Sequence, residues 1–149
     1  HLVRDVRSWV HSRARAGRKS GQRWPAARQL ARWWRVNTKF ERAFRQSPYP
    51  VFRLGYEEFS LQPRSSLQLL CDWLSIDFEQ AMLAPGLNST SHILAGNRVR
   101  FDADRSRTIA YDGAWLGAQA PTAAHLGLLL PGVARMNRRL VYSNDLFCR

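Results

Sequence analysis

The feature that most constrains this chain is an abrupt change of pattern within its first dozen residues. Leu2-Val3 is apolar and stops at Arg4-Asp5, which reads as the end of a short buried strand. From Asp5 the pattern is helical, with a capping carboxylate, Val6, Trp9, Val10 and Arg13 on one face, and an end near Gly17. A strand running straight into a helix puts Arg4 at the strand's carboxyl end and Ser12 on the helix's second turn. Open α/β sheets bind ligands at that edge, and helix N-termini there present free N–H groups to anions. A guanidinium fork from Arg4 and a hydroxyl from Ser12 suit a phosphate. The competing reading of Arg4-Asp5 is an ordinary surface ion pair after a strand.

A Gly/Ser/basic connection over residues 18–23 leads to a second helix opened by Pro25. Its apolar residues Ala26, Leu30, Trp33, Trp34, Phe40 and Phe44 fall close to a 3.6-residue period. The opposite face carries Arg28, Arg32, Arg35, Lys39 and Arg42, either a solvated face or a surface for an anionic partner. Trp33-Trp34 reads as core packing. Ser47-Pro48-Tyr49-Pro50 ends the helix. Val51-Phe52-Arg53-Leu54 is a β-rich run, and Tyr56-Glu57-Glu58 follows Gly55. Pro63 opens a further helix whose buried stripe is Leu67, Leu70, Cys71 and Leu74. Residues 77–91 read as an irregular loop. In the next segment Gly96-Asn97 allows a tight turn, and Arg98 and Arg100 project the same way if extended. Residues 102–112 read as polar and exposed. A helical pattern begins at Pro121, breaks at Pro131-Gly132, and resumes with Val133, Met136 and Leu140 buried.

Three of these segments together resemble the PAPS-dependent sulfotransferases. Leu-Val-Arg-Asp with a Ser eight residues after the Arg is similar to that family's 3′-phosphate-binding segment, although Val6 stands where the family often has Pro or Gly. Tyr56-Glu57 after a strand is similar to its adenine-contacting segment. His92 to Phe101, followed by Asp112-Gly113-Ala114-Trp115, is similar to the loop that closes over the nucleotide. The resemblance implies an α/β, P-loop NTPase-like three-layer fold, truncated at its N-terminus and largely helical here, with residues 1–149 as the C-terminal part of one domain. It implies transfer of a sulfuryl group from 3′-phosphoadenosine 5′-phosphosulfate (PAPS) to a hydroxyl or amine. Arg4, Ser12 and Arg100 would hold the 3′-phosphate and Tyr56 the adenine, with no metal. The loop for the 5′-phosphosulfate and the base would lie upstream, so no catalytic residue is assigned and this stretch alone is expected to be inactive. A cytoplasmic location follows if the protein is bacterial, with a Golgi-lumenal one left open.

Charge bears on the alternative. The 149 residues carry a net charge of +12 and a pI near 11.3, a field that favours polyanions. Almost all of it is arginine, Lys19 and Lys39 being the only lysines, which compositional bias explains as readily as phosphate binding. A basic helical module binding nucleic acid through residues 28–42 is therefore the second expectation, below the nucleotide site. One core is the default at this length. No apolar run approaches the roughly 20 residues needed to span a bilayer. Cys71 and Cys148 lack the spacing of a zinc site or a disulfide framework. Asn88-Ser89-Thr90 is a formal glycosylation sequon.

Overall fold

The computed structural model describes residues 1–19, 21, 25–84, 109–117, 122–142 and 147–148. The chain divides into two compact units, His1–Glu57 with Asp112–Arg149, and Glu58–Tyr111.

In the first unit, β1 (Leu2–Val3) passes through Arg4-Asp5 into α1 (Val6–Lys19). Asp5 caps the helix, since the Arg7 N–H donates to Asp5 Oδ1 at 2.7 Å and the Trp9 N–H to the Asp5 carbonyl at 2.8 Å. Val6 and Val10, one turn apart, are fully buried. Pro25 precedes α2 (Ala26–Gln46), which turns Trp33 inward; the Trp33 indole N–H donates to the Arg4 carbonyl at 3.0 Å. The short strands β2 (Val51–Phe52) and β3 (Leu54–Gly55) follow, and α3 begins at Tyr56 (Tyr56–Leu61). Near the chain's end come α5 (Thr122–Gly127), α6 (Pro131–Val141) and β4 (Phe147–Cys148). Pro131 is tolerated at the start of α6 because the first N–H groups of a helix have no internal partner. The core joins Val3, Val6, Val10 and Trp33 to Val133, Met136, Leu140 and Val141.

Two ladders complete this unit. β1 pairs with β3 in parallel, Leu2 opposite Leu54 and Val3 opposite Gly55. β2 pairs antiparallel with β4. Gly55 is required by a close approach: a Cβ there would stand 2.1 Å from the Val141 carbonyl oxygen, at the end of α6. Backbone occupies the space a side chain needs.

This architecture corrects the expected three-layer α/β fold. Such a fold needs a parallel sheet covered by helices on both faces, with near-continuous apolar strands. Among the described residues each ladder has two strands of two residues, and Leu2 is 60% exposed, so the parallel pair has an open side. Helices packed on one another, rather than on a sheet, form the core.

In the second unit α4 (Pro63–Leu74) carries Pro63 in its first turn and ends at Ser75, whose φ of 56° is the left-handed conformation usual at helix ends. A 3₁₀ turn follows at Gln80–Leu83. Of the expected stripe, Cys71 is buried and its Sγ lies 3.8 Å from Met82 Sδ, whereas Leu74 is 49% exposed. Arg64 donates to Gln80 Oε1 at 2.6 Å and lies over the Phe78 ring.

Candidate functional site

Two polar assemblies stand out in the first unit. One lies at the carboxyl end of the β1–β3 pair, where α1 and α3 both begin. Asp5 is fully buried there and accepts from Arg7 Nε and Nη2, Asn137 Nδ2 and the Tyr142 hydroxyl, all at 2.8–3.0 Å. Asn137 Oδ1 accepts the Val6 N–H at 2.8 Å, and Glu57 Oε2 accepts the Asp5 N–H at 2.9 Å. The first N–H groups of α1 are thereby satisfied from within the protein.

The charges follow this geometry. Burial pushes the Asp5 carboxyl up, but the hydrogen bonds from Arg7, Asn137 and Tyr142 outweigh it and hold the pKa below the ordinary aspartate value. Burial of Glu57 wins over the backbone donors of Asp5 and of Glu57 itself and raises its pKa. Its second oxygen has no partner among the described residues. Burial and the bond to Asp5 both raise the Tyr142 phenol, so it stays protonated and donating.

Arg4 occupies the rim of this cluster. Its Nε donates to Ser8 Oγ at 2.5 Å, its Nη2 to Asp112 Oδ2 at 2.9 Å, and its guanidinium lies 4.7 Å from the Tyr56 ring centre. Burial raises the Asp112 carboxyl, but the bonds from Arg4 and the Ala114 N–H, with the charges of Arg4 and Arg15, together outweigh it and hold the pKa low. The side chain of Arg4 is 23% exposed and that of Asp112 is 44% exposed. The structure thus places Arg4 against Tyr56. The Arg4 bond goes to Ser8, one turn before Ser12 on the same helical face. Arg100, with His92 and Gly96-Asn97, lies outside the described residues. Sequence reasoning missed Asn137 and Tyr142. The available signal was Asn137 itself, a polar residue set within the apolar stripe of Val133, Met136 and Leu140.

The second assembly is the outer face of α2. Arg28, Arg32, Arg35, Lys39 and Arg42 recur at steps of four, three, four and three, and all are exposed. At about 100° per residue those steps keep them within roughly 80° of arc, over about 21 Å of helix. The buried Gln29, Trp33, Asn37 and Glu41 lie on the opposite side. Glu41 is the only acid on α2, and it does not serve the stripe. It is 6% exposed, accepts from Arg53 Nη2 at 2.5 Å, and also pairs with Arg139 of α6.

Beside the stripe, α2 and the start of α6 border an open cleft of about 350 Å³, lined mainly by Leu30, Trp34, Arg35, Leu130, Gly132 and Val133. Gly132 keeps it open: a Cβ there would stand 2.9 Å from Trp34 Cη2.

Comparison of the chain with known protein families, with curated proteins and with solved structures finds no match. The helical architecture overturns the resemblance to the sulfotransferases. Sulfuryl transfer, PAPS as co-substrate, the nucleotide partner and the hydroxyl or amine acceptor fall with it. The Arg4 guanidinium lies over the Tyr56 ring, and the Val6 and Arg7 N–H groups at the start of α1 donate to Asn137 and Asp5. Among the described residues no three His, Cys, Asp or Glu side chains are placed to hold a metal ion. Nor is any helix among them long and apolar enough to cross a membrane.

Proposed function

We propose that this chain is a binding module for an extended polyanion, which it meets along the outer face of α2. The observation that carries this reading is the uninterrupted stripe from Arg28 to Arg42, with the helix's one carboxylate turned inward and paired. A polyanion gains from such a row because each neutralised charge releases a condensed counterion. The stripe presents no large apolar side chain along its own arc, which suits a charged backbone better than insertion into a lipid surface.

Anisotropy titration of a labelled twelve-nucleotide oligonucleotide between 50 and 300 mM salt tests it (chosen as roughly the range over which such contacts weaken steeply). Binding should weaken with a log–log slope of about −3 to −5. Arg32→Ala should flatten the slope by about one, and Arg64→Ala, which removes the same charge from α4, should leave it unchanged. Salt-independent binding, or equal effects of the two variants, would overturn the reading.

A second reading concerns Arg4, Ser12 and Tyr56. Arg4 is oriented by Ser8 and Tyr56, and its acidic partner among the described residues is the half-exposed Asp112. A small anion displacing Asp112 would meet a pre-set fork, with Ser12 a turn beyond Ser8 as a further donor. Arg100 belongs to this proposal through its sequence position alone.

A further inference from the structure

We infer that the polyanion is single-stranded nucleic acid, one of whose unpaired bases enters the cleft between α2 and α6; this rests on the stripe reading above. Arg35 is the link, since it belongs to the stripe and also lines the cleft. A strand whose phosphates follow the stripe therefore passes the cleft's mouth within the reach of one side chain. The cleft is apolar apart from Arg35, and the Trp34 indole forms part of its wall. At about 350 Å³ it falls in the range of small-molecule sites, roughly 300–1,000 Å³.

Charge complementarity selects the class of ligand, and the aromatic wall selects within it. A duplex offers phosphates but keeps its bases stacked on one another. A single strand offers both, and base–aromatic stacking contributes about 1–3 kcal/mol per base, or about 5- to 150-fold in affinity. Inorganic polyphosphate and sulfated polysaccharide match the stripe and leave the cleft unused. Leu130, 55% exposed at the cleft's edge, is suited to cover an inserted base rather than to meet water.

The test compares a twelve-nucleotide oligothymidylate, a duplex of the same length, inorganic polyphosphate and anionic phospholipid vesicles, each titrated against the 149-residue chain at one salt concentration. The single strand should bind at least about tenfold more tightly than the duplex, as the stacking range allows. Trp34→Leu should remove most of that preference while leaving duplex affinity and the salt slope unchanged. Trp34 packs against the core, so Gly132→Ala is the companion variant: it keeps the indole and narrows the cleft, with a small shift of the ring to admit the new Cβ. It should reduce the single-strand preference in the same direction. Equal affinity for single strand and duplex, unaffected by either variant, overturns the base-binding cleft and leaves the stripe reading intact. Tighter binding to polyphosphate or vesicles than to the oligonucleotide overturns nucleic acid as the partner. Absence of salt-dependent binding to every probe overturns both.

Discussion

Replacing Asp5 by Asn tests the strand-end cluster with almost no change of shape. Oδ1 can still accept the Arg7 N–H and so still cap α1. The other position becomes an NH₂ group facing Arg7 Nη2, Asn137 Nδ2 and the Tyr142 hydroxyl. Tyr142 is exposed enough to turn and accept from it. Arg7 is 26% exposed and recovers part of its loss from water. Asn137, 4% exposed, cannot, and an unsatisfied buried amide costs about 1–3 kcal/mol. With a lost charge-assisted bond from Arg7, about 1.5–3 kcal/mol before solvent screening, the expected destabilisation is about 3 kcal/mol at neutral pH. Urea unfolding followed by tryptophan fluorescence measures it. The sign of the pH dependence is fixed by the lowered Asp5 pKa. The wild-type advantage is fully present above the ordinary aspartate value of 3.8 and fades as pH falls through the lower folded value. Glu57, whose pKa is raised chiefly by burial and in part by the Asp5 charge, works oppositely, and the variant loses the part due to Asp5. A loss below about 1 kcal/mol at neutral pH, the scale of a single neutral hydrogen bond, or a difference unchanged by acidification, would refute the account of Asp5 as a buried, multiply bonded carboxylate.

Gly55→Ala should destabilise by about 3 kcal/mol or more, at or beyond the usual cost of overpacking, because the obstacle is the Val141 carbonyl rather than a flexible side chain; thermal unfolding checks it, and a neutral result would show that α6 shifts freely. Arg4→Gln should weaken binding of inorganic phosphate at least about fivefold while leaving the salt slope for oligonucleotides unchanged, as expected of a local charge-assisted contact. Calorimetry with phosphate and the anisotropy titration separate the two, and equal phosphate affinity in both proteins would remove the second reading.

Helices were the legible part of this chain because their signals are local. The cap at Asp5 and the period of α2 are written within a few residues each, and both appear in the structure; the expected break at Pro131-Gly132 falls earlier, between Gly127 and Pro131, and Pro131 opens α6. The sheet was not legible in the same way. Leu2-Val3 and Val51 to Leu54 are strand-like, but how many strands join them depends on partners elsewhere in the chain, and here each ladder stops at two. The same limit hid half of the Asp5 cluster. Asn137 and Tyr142 lie 132 and 137 positions from Asp5, and no spacing within α1 points to them. Family resemblance supplied a phosphate and adenine role for Arg4 and Tyr56. The structure packs these two residues against one another.

The distribution of the acids bears on how the net charge acts. Asp5, Glu41 and Glu57 are buried, and the first two engage Arg7, Arg53 and Arg139. Buried pairs of this kind add little net stability against an apolar alternative. Their consequence lies at the surface: a carboxylate turned inward cannot screen the cations outside. Successive members of the α2 stripe are separated by about 5 Å along the axis, less than the Debye length of about 8 Å at physiological salt. They therefore act as one field and repel one another along the helix. That repulsion opposes α2 and is offset by burial of Trp33 and its neighbours on the other face. A polyanion laid on the stripe relieves it, so binding should stabilise α2 as well as hold the ligand.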